Sequence, residues 1–331
     1  MNPLLRNPIW DLTDPDSPFV AVYRLPDSLT LPSFGDGVIV KVATIQGRKP
    51  FHKASMARHG LYQAIRDGSV TKETILVEAS SGNTARALDD LCNSLGIQLV
   101  LIMPGDMPED KIAAIRALGH AEIRLHYDKK ETTVECARRL GSQEGWHNLD
   151  QYRGDWNAES HYLHLAPQVF KQTRAAVFVA GTGTVGTCLG VHKYVKEHGL
   201  GTKVVPVVCA PSEEVPAVRT FARIERDVYT GWRDVFAPSD FEEVWGHESF
   251  LWSRFLWDVL PVRPGPSSGA GVAGAQRFIN RHREEGTLGQ FEDEEGNIVV
   301  VVLAPDNSDP YHQLYIRELS HEELSGRVVS M

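Results

Sequence analysis

Cysteine is scarce in this chain, and the few that occur are widely separated. They are Cys92, Cys136, Cys188 and Cys209, and no two of them form a Cys-x-x-Cys pair. Three lie within apolar helix or strand patterns, which argues against a disulfide framework. We therefore expect reduced core cysteines and a cytoplasmic protein.

Long apolar runs and positively charged stretches are also missing. The longest apolar run, Ile298–Ala304, has the length of a strand and is far too short to span a membrane. The N-terminal residues carry acids early and lack the apolar core of a signal peptide. The formal net charge is −9 and no basic stretch is present to neutralise phosphates, so we expect no nucleic-acid partner.

Short β-branched runs alternate with longer helical patterns from residue 38 onward. The predicted strands are 38–42, 74–78, 98–103, 122–126, 175–180, 203–209 and 298–303. The predicted helices are 54–67, 84–95, 109–118, 131–143, 186–197 and 270–285. Strands that alternate with helices indicate parallel sheets with right-handed crossovers. Because the alternation occurs in two series, we predict an α/β fold with two lobes, each a twisted, mostly parallel sheet flanked by helices.

The two series place the smaller lobe at 46–152 and the larger lobe at 1–45 plus 153–331. The least regular part of the larger lobe is 211–262, called the Trp-rich segment below. It holds four of the seven tryptophans, namely Trp232, Trp245, Trp252 and Trp257. We expect exposed tryptophans of this segment to contribute to an interface, and we expect the segment to shape the mouth of a substrate site.

A glycine loop follows the strand at 175–180 and opens a helix, with glycines at Gly181, Gly183 and Gly186. Glycines let backbone N–H groups approach a phosphate, and a helix N-terminus favours its negative charge. The pattern also fits the dinucleotide fingerprint, but that site needs an acid about 20 residues later. The first acid after the next strand is Glu213, so a phosphate cradle is favoured. An NAD-dependent dehydrogenase and a turn that only packs helix on sheet stay open as alternatives.

Two further loops are rich in small hydroxyl residues. Ser80–Thr84, called the hydroxyl loop below, follows a strand and opens a helix. Its donors, beside the positive end of the helix dipole, suit a carboxylate. Ser267–Gly269 also opens a helix. In both loops the alternative is a simple N-cap, formed in the first by Ser81 or Asn83.

Lys53 stands at the start of an apolar-faced helix, directly after His52. The helix N-terminus and a neighbouring residue that can carry positive charge both disfavour the charged amine. A lysine nucleophile needs this, because only the neutral amine adds to a carbonyl. His52 either binds phosphate or is an ordinary polar residue.

His161 and His164 have a helical spacing that suits a metal. No acid or cysteine nearby completes a ligand set. We interpret them as histidines of a helix face and expect no metal.

Taken in order, these motifs resemble those of fold-type II pyridoxal phosphate (PLP) enzymes, the group of cysteine synthase, the tryptophan synthase β subunit and the serine/threonine dehydratases. Lys53 stands where the family has its Schiff-base lysine, and His52-Lys53 is similar to the pair of the tryptophan synthase β subunit. Glu78–Thr84 resembles the cysteine synthase loop Glu-Pro-Thr-Ser-Gly-Asn-Thr. Ser17–Phe19 resembles the early Thr-Pro-Leu of the family, and Gly183–Thr187 resembles its phosphate loop Gly-Thr-Gly-Gly-Thr. A Gln-Phe…Asn…His stretch of the family is matched by Gln151, Tyr152, Asn157 and His161. Pro305–Tyr311 resembles Pro-Asp-Ser-Gly-Glu-Arg-Tyr.

The resemblance implies a PLP site in the cleft between the lobes and a role for each matching position. Lys53 would hold PLP as a Schiff base and then move the Cα proton, and Asn83 would bind the ring hydroxyl. The other implied cofactor contacts are His52, the phosphate-binding residues Gly183, Thr184, Val185, Gly186 and Thr187, and Asn307 or Ser308 at the pyridine nitrogen. The implied substrate contacts are Ser80, Ser81, Gly82, Thr84, Gln151 and Ser268.

The chain departs from the family pattern at several positions. Val185 stands where the phosphate loop has glycine, and Asn307 replaces the usual serine. If side chains alternate strictly as in a strand, Asn307 points to the face opposite that of Asp306 and Ser308. Either Asn307 or Ser308 can then reach the ring, but not both. The Trp-rich segment replaces the segment that cysteine synthase has after its sixth strand.

A neutral partner at the pyridine nitrogen leaves the ring a weaker electron sink, which suits loss of a Cβ group rather than transamination. The resemblance therefore implies cysteine synthase-like β-replacement on a serine- or cysteine-like amino acid, with a small nucleophile, through an aminoacrylate. The alternative is β-elimination by a dehydratase or desulfhydrase, which releases ammonia and a keto acid. Candidates for contacting a distal substrate group are Arg86, Trp156, Arg219 and Arg223. Because family members pair across their larger lobes, we also expect a homodimer.

Overall fold

A computed structural model describes residues 3–10, 19–47 and 52–326 of the chain. The Ser17-Pro18 part of the family motif therefore lies outside the described residues. The described residues divide into two compact units, the first within 1–17 and 53–160 and the second within 18–52 and 161–331. The lobe limits drawn from the sequence, 46–152 against the rest, stay a prediction.

The described chain alternates strands and helices along most of its length. The strands are β1 (Phe19–Arg24), β2 (Val38–Gln46), β3 (Ile75–Ala79), β4 (Gln98–Pro104), β5 (Glu122–His126), β6 (Trp146–Asn148), β7 (Val177–Gly181), β8 (Lys203–Cys209), β9 (Glu242–Val244) and β10 (Ile298–Ala304). The helices are α1 (Asp27–Phe34), α2 (His52–Arg66), α3 (Asn83–Leu95), α4 (Glu109–Arg116), α5 (Thr133–Gly141), α6 (Asp155–Ser160), α7 (Ala166–Gln172), α8 (Gly186–Glu197), α9 (Phe221–Asp227), α10 (Gly246–Val259), α11 (Pro266–Glu284), α12 (His312–Glu318) and α13 (His321–Leu324).

The first unit is built on a parallel sheet of strand order β5-β4-β3-β6. The central strands β3 and β4 are almost continuously apolar, as expected for strands that are covered on both faces, and residues such as Leu76 and Leu101 are fully buried. The carboxyl end of β3 leads into the hydroxyl loop and then into α3. This placement puts the loop at the sheet edge where ligands of open α/β sheets bind.

The second unit is built on a sheet of strand order β1-β2-β10-β7-β8-β9. All neighbouring pairs are parallel except β1 with β2, which is antiparallel. Valines of β2, β7, β8 and β10 and apolar residues of α11 form one buried core. Together the two sheets confirm the predicted α/β class with mostly parallel strands. Among the described residues, no helix is both long and apolar enough to cross a bilayer.

The free edge of β1 is covered by two glutamine side chains from α7. The side-chain oxygen of Gln168 accepts the Val20 N–H at 2.9 Å, and that of Gln172 accepts the Val22 N–H at 3.1 Å. The Gln172 amide nitrogen also donates to the Val20 carbonyl at 2.9 Å. Backbone groups that an edge strand usually leaves open are thereby occupied.

The Trp-rich segment contains α9, β9 and α10. Its tryptophans differ from their prediction, because they are not generally exposed. Trp232 is buried against the edges of Phe221 and Phe241, while Trp252 is buried against Phe34.

Of the four tryptophans, Trp245 is the exposed one, at 51%, and Trp257 is partly buried. The prediction of exposed tryptophans was therefore wrong for Trp232 and Trp252. The physical reason is that these large apolar side chains pack against other aromatic and aliphatic residues of the core.

Candidate active site

Lys53 is the second residue of α2, in the first unit. Its Nζ atom donates a hydrogen bond to the Met56 sulfur at 3.1 Å. Burial lowers the pKa of this amine from 10.5 to about 8, although the charge of Glu78 works in the opposite direction. A substantial neutral fraction of the amine is thus present just above neutral pH, as a carbonyl-attacking lysine requires.

Glu78 is a second buried ionisable group of the same unit. It lies near the end of β3 and is only 1% exposed. Its Oε1 atom accepts the Ala79 N–H at 3.1 Å, while Oε2 has no hydrogen-bond partner among the described residues. Burial, followed by the charge of Asp150, raises the pKa of this carboxyl from 4.5 to about 8. From sequence, Glu78 was recognised only as part of a motif. The signal that could have found it is an acid inside an otherwise apolar strand.

The hydroxyl loop is held from inside by its own first residue. The Ser80 hydroxyl oxygen accepts the Ala85 N–H at 3.1 Å, in the first turn of α3. The residue that precedes the helix is Gly82, and no side chain caps the helix from that position. A capping hydrogen bond in the first turn of α3 is therefore made by Ser80, which the capping alternative had not named. The substrate roles of Ser80, Ser81, Gly82 and Thr84 stay predictions.

Gln151 joins the hydroxyl loop to the segment that follows β6. Its amide nitrogen donates to the Ala79 carbonyl at 3.2 Å, and its amide oxygen accepts the Thr84 hydroxyl at 2.8 Å. The Gln151 carbonyl in turn accepts from the Asn157 side chain at 2.8 Å. Gln151 is 3% exposed, so this buried bridge brings three of the sequence-predicted positions together. Its contact with a substrate carboxylate stays a prediction.

The glycine loop lies in the second unit, between β7 and α8. Val185 adopts the left-handed conformation, with φ +60°, directly before α8. A β-branched residue is strained there, and this is the position at which the family has glycine. Thr184 and Thr187 are buried, and no side chain caps the start of α8 from Val185. The first N–H groups of the helix can therefore face an anion.

His161 lies beside the glycine loop, a placement that was not predicted from sequence. It begins a π-helical turn, His161–Leu165, and is 2% exposed. Its Nε2 atom is 3.3 Å from the Thr187 hydroxyl, and its ring is 5.3 Å from the ring of His52. His161 thus lies on a helical turn, as interpreted from the sequence, and its side chain is buried beside the glycine loop. The π turn is a feature that sequence spacing does not reveal.

His52 is fixed at the start of α2 by the backbone of the 305–311 motif. Its N–H donates to the Pro305 carbonyl at 2.9 Å, and Nδ1 lies 3.3 Å from the same oxygen. The structure thus assembles His52, His161 and Thr187 within the second unit. Binding of phosphate by His52 and Thr187 stays a prediction.

The predicted partners of the pyridine nitrogen follow β10. Ser308 is buried and Asn307 is partly exposed. The Asn307 side chain donates to the Asp309 carboxylate at 3.1 Å, and the Tyr311 hydroxyl donates to the Asp306 carboxylate at 2.6 Å. Which of the two residues meets the ring stays a prediction.

The start of α11 carries two buried hydroxyls. Ser267 and Ser268 are 2% and 0% exposed, and neither Oγ atom has a hydrogen-bond partner among the described residues. The N-cap position is Gly265, without a side-chain cap. A simple N-cap therefore does not account for these serines, whereas a polar ligand would satisfy them.

Three residues of metal-binding type meet in the first unit, namely His126, Glu131 and Cys136, whose donor atoms lie within 4.8 Å of one another. Arg139 binds both carboxylate oxygens of Glu131, at 2.7 and 2.9 Å. His126 Nε2 lies 2.7 Å from the Glu131 carbonyl. The guanidinium already neutralises the carboxylate, so the cluster has its partners without an ion.

Two of the candidates for a distal substrate group make contacts of their own. Arg219 donates to the Asp227 carboxylate at 2.6 Å, and the Trp156 indole donates to the Leu149 carbonyl at 2.8 Å. Arg223 is exposed and Arg86 is partly buried. Substrate contacts of these four residues stay predictions.

Comparison with known proteins identifies the family of the chain. Residues 52–303 match the family model described as pyridoxal-phosphate dependent enzyme. The chain is 30% identical over 271 residues to cysteine synthase B of Salmonella typhimurium, covering 79% of this chain and 84% of that protein. It is 27% identical over 289 residues to the L-cysteine desulfhydrase Cds1 of Mycobacterium tuberculosis, covering 80% of this chain and 75% of that protein.

A solved structure shares the fold. O-ureido-L-serine synthase superposes with a TM-score of 0.73 at 19% identity, over 91% of this chain and 93% of that one. The family match includes Lys53, the hydroxyl loop and the glycine loop. The chain therefore belongs to the family of pyridoxal-phosphate-dependent enzymes.

Proposed function

We propose that this chain binds PLP and replaces the Cβ substituent of a serine- or cysteine-like amino acid with a small nucleophile. The observation that carries the proposal is the Lys53 amine, whose pKa burial lowers to about 8. An amine that is partly neutral near physiological pH can condense with an aldehyde. The similarity to cysteine synthase B supports the replacement reaction.

The donor set of this chain fits PLP. The uncapped start of α8 and the buried hydroxyls of Thr184 and Thr187 suit a phosphate. Asn83 would bind the ring hydroxyl, and Asn307 or Ser308 would meet the pyridine nitrogen. The hydroxyls of Ser267 and Ser268, which have no hydrogen-bond partner among the described residues, could also bind a polar group of the ligand. When bound, PLP would supply the electron sink for loss of the Cβ substituent.

The residues of the chain would divide the remaining work. Nζ of Lys53 would take the substrate Cα proton and return it. The hydroxyl loop, braced by Gln151, would hold the substrate carboxylate beside the positive end of α3. Because Asn307 and Ser308 are both neutral, the ring nitrogen would stay unprotonated. This state favours β-substituent chemistry over transamination.

β-Elimination is the second candidate, and the similarity to L-cysteine desulfhydrase Cds1 favours it. The two reactions share the loss of the Cβ substituent. They differ in whether a nucleophile is then added at Cβ or a keto acid and ammonia are released. The dehydrogenase alternative is disfavoured, because the family match spans the glycine loop.

The first experiment tests the lysine. We expect PLP-loaded protein to show a cofactor absorbance that borohydride fixes at Lys53, and Lys53→Ala to lose this linkage. Turnover of the variant should fall by about 10³-fold, the scale of a lost proton-transfer group. Lys129→Ala is the matched control, because Lys129 is an exposed lysine of the same unit. A wild-type chain that takes up no PLP would overturn the proposal.

The second experiment separates replacement from elimination. Serine, O-acetylserine, O-phosphoserine and cysteine are each supplied with and without a thiol acceptor, and keto acid and thioether products are measured. Replacement predicts a thioether product that depends on the acceptor. Keto acid at the same rate with and without acceptor would assign elimination instead.

We further propose a cytoplasmic homodimer, which the resemblance to the family supports. Light scattering of the purified protein tests the dimer, and fractionation of the source cells tests the location. A mass of one chain at working concentration would remove the dimer from the proposal.

A further inference from the structure

The turn that precedes α11 pairs with the motif that carries Asn307. The Ser308 N–H donates to the Arg263 carbonyl at 2.8 Å, and the Gly265 N–H donates to the Asp306 carbonyl at 3.1 Å. Pro264 and Asn307 are the bridged pair between these bonds. A Cβ on Gly265 would collide with the Asp306 carboxylate, so only glycine allows this approach. The position of Asn307 therefore depends on the position of Pro264.

The Pro264 carbonyl is held by side chains of α10. The Ser253 hydroxyl donates to it at 2.8 Å, and the Trp257 indole N–H donates to it at 3.0 Å. The Tyr315 hydroxyl, from α12, lies 2.5 Å from the Ser253 oxygen and 3.4 Å from the same carbonyl. A carbonyl oxygen has two lone pairs, and the two α10 donors suffice to occupy them.

Two of these three donors are fully buried, and the third, Trp257, is partly buried. Ser253 and Tyr315 are 0% and 1% exposed. The Tyr315 ring packs against Phe250 and Trp257, with ring centroids 5.0 and 4.7 Å apart. Burial raises the pKa of the Tyr315 hydroxyl, so it remains a neutral donor across the working range of pH. Hydrogen bonds in such surroundings are strong and mutually reinforcing.

We propose that Ser253, Trp257 and Tyr315 are positioning residues that fix Asn307 and Ser308 for contact with the cofactor ring. The inference rests on the proposed function, because it assigns these residues to the pyridine nitrogen of PLP. It also gives the C-terminal part of the Trp-rich segment a role. The helix α10 anchors the Pro264 turn, and the turn sets the 306–308 backbone.

The test compares Trp257→Phe with Trp245→Phe, because Trp245 is a half-exposed tryptophan of the same segment outside this network. In the PLP-free full chain, we expect the Ser308 and Gly265 amides of Trp257→Phe to exchange about fivefold faster, as for one lost buried hydrogen bond. In the PLP-loaded chain, we expect a shifted cofactor absorbance and a lower kcat with KM nearly unchanged. Trp245→Phe should match the wild type in all three readouts.

Tyr315→Phe provides a nearly isosteric second variant if Trp257→Phe folds poorly. It removes the hydroxyl beside Ser253 and keeps the ring, so it should show the same changes at a smaller size. A wild type that takes up no PLP overturns the proposed function and this inference together. If PLP binds and the variants match Trp245→Phe in amide exchange and absorbance, the positioning role alone is overturned.

Discussion

The hydroxyl loop and the glycine loop each connect a buried strand to the start of a helix, yet they are stabilised differently. In the hydroxyl loop, side chains make the contacts: Ser80 caps α3, and Gln151 bridges Ala79 and Thr84. In the glycine loop, the backbone packs closely, with a Cβ on Gly183 falling 3.1 Å from the Ala217 carbonyl. Val185 meanwhile holds a strained conformation.

The difference indicates where each loop tolerates change. A loop held by side chains should respond to loss of a buried hydrogen bond, whereas a loop held by close backbone approach should respond to added volume. The side-chain contacts of the hydroxyl loop suit recognition of a carboxylate. The closely packed backbone of the glycine loop suits binding of a phosphate by N–H groups. Three predictions test this contrast.

The largest effect is expected at Glu78, directly before the hydroxyl loop. Its pKa is raised from 4.5 to about 8 in the folded chain, so its contribution to stability is present below pH 4.5 and is lost as the pH rises to about 8. Lys53 has a lowered pKa of about 8, so it adds little slope in most of that window. The free energy of unfolding of the PLP-free chain should therefore fall by on the order of 5 kcal/mol across the window.

Glu78→Gln should remove most of that pH dependence, because the amide does not titrate. Urea unfolding measured near both ends of the window gives the comparison. Glu144→Gln, at an exposed position of the same unit, is the control and should keep the wild-type slope. If the free energy of unfolding changed equally with pH in the wild type and both variants, the raised pKa of Glu78 would be contradicted.

The next effect is expected for Gln151→Leu. Leucine has a similar size but leaves the Ala79 carbonyl and the Thr84 hydroxyl without the partners they have now. We expect the free energy of unfolding to fall by about 2 kcal/mol, together with a higher KM for the amino acid. Gln143→Leu, at an exposed site, should change neither. A higher KM with unchanged stability would mean that Gln151 serves the substrate alone and does not brace the loop.

The smallest effect separates the two loops directly. Gly183→Ala adds a methyl group against a backbone carbonyl, whereas Gly82→Ala places it in open space with nothing within 4 Å. We expect Gly183→Ala to lose about 1 kcal/mol of stability and to bind PLP more weakly in a titration. Gly82→Ala should leave both values near those of the wild type. Similar losses in the two variants would remove the distinction between the loops.

Much of the fold was predictable because its core strands and helices have strong periodicity. The predicted strands 122–126 and 203–209 and the helix 186–197 end where the structure ends them. The strand β1 was missed because its outer partners are glutamines distant in sequence. The helix α10 was missed because its buried or partly buried aromatic residues, Phe250, Trp252, Phe255 and Trp257, do not keep to one helical face, which obscures the apolar stripe.

The site was predictable where chemistry is carried by a local motif. Lys53 and the two loops can be recognised from sequence, because each lies at a strand or helix end. The contact of His161 with Thr187 and the partners of Pro264 cannot, because they depend on a π turn and on the contacts that α10 and Tyr315 make with the turn at Pro264. Ser308 and Asn307 stayed undecided because alternate residues face opposite ways.

The glutamines along β1 have a consequence for assembly. A second copy cannot extend the sheet past β1 unless Gln168 and Gln172 first withdraw, since they already occupy Val20 and Val22. Self-association through this edge of the sheet would therefore have to use side-chain contacts, because backbone hydrogen bonds between the β1 strands of two copies are blocked. The same shielding disfavours strand-to-strand polymerisation of the folded chain through this edge.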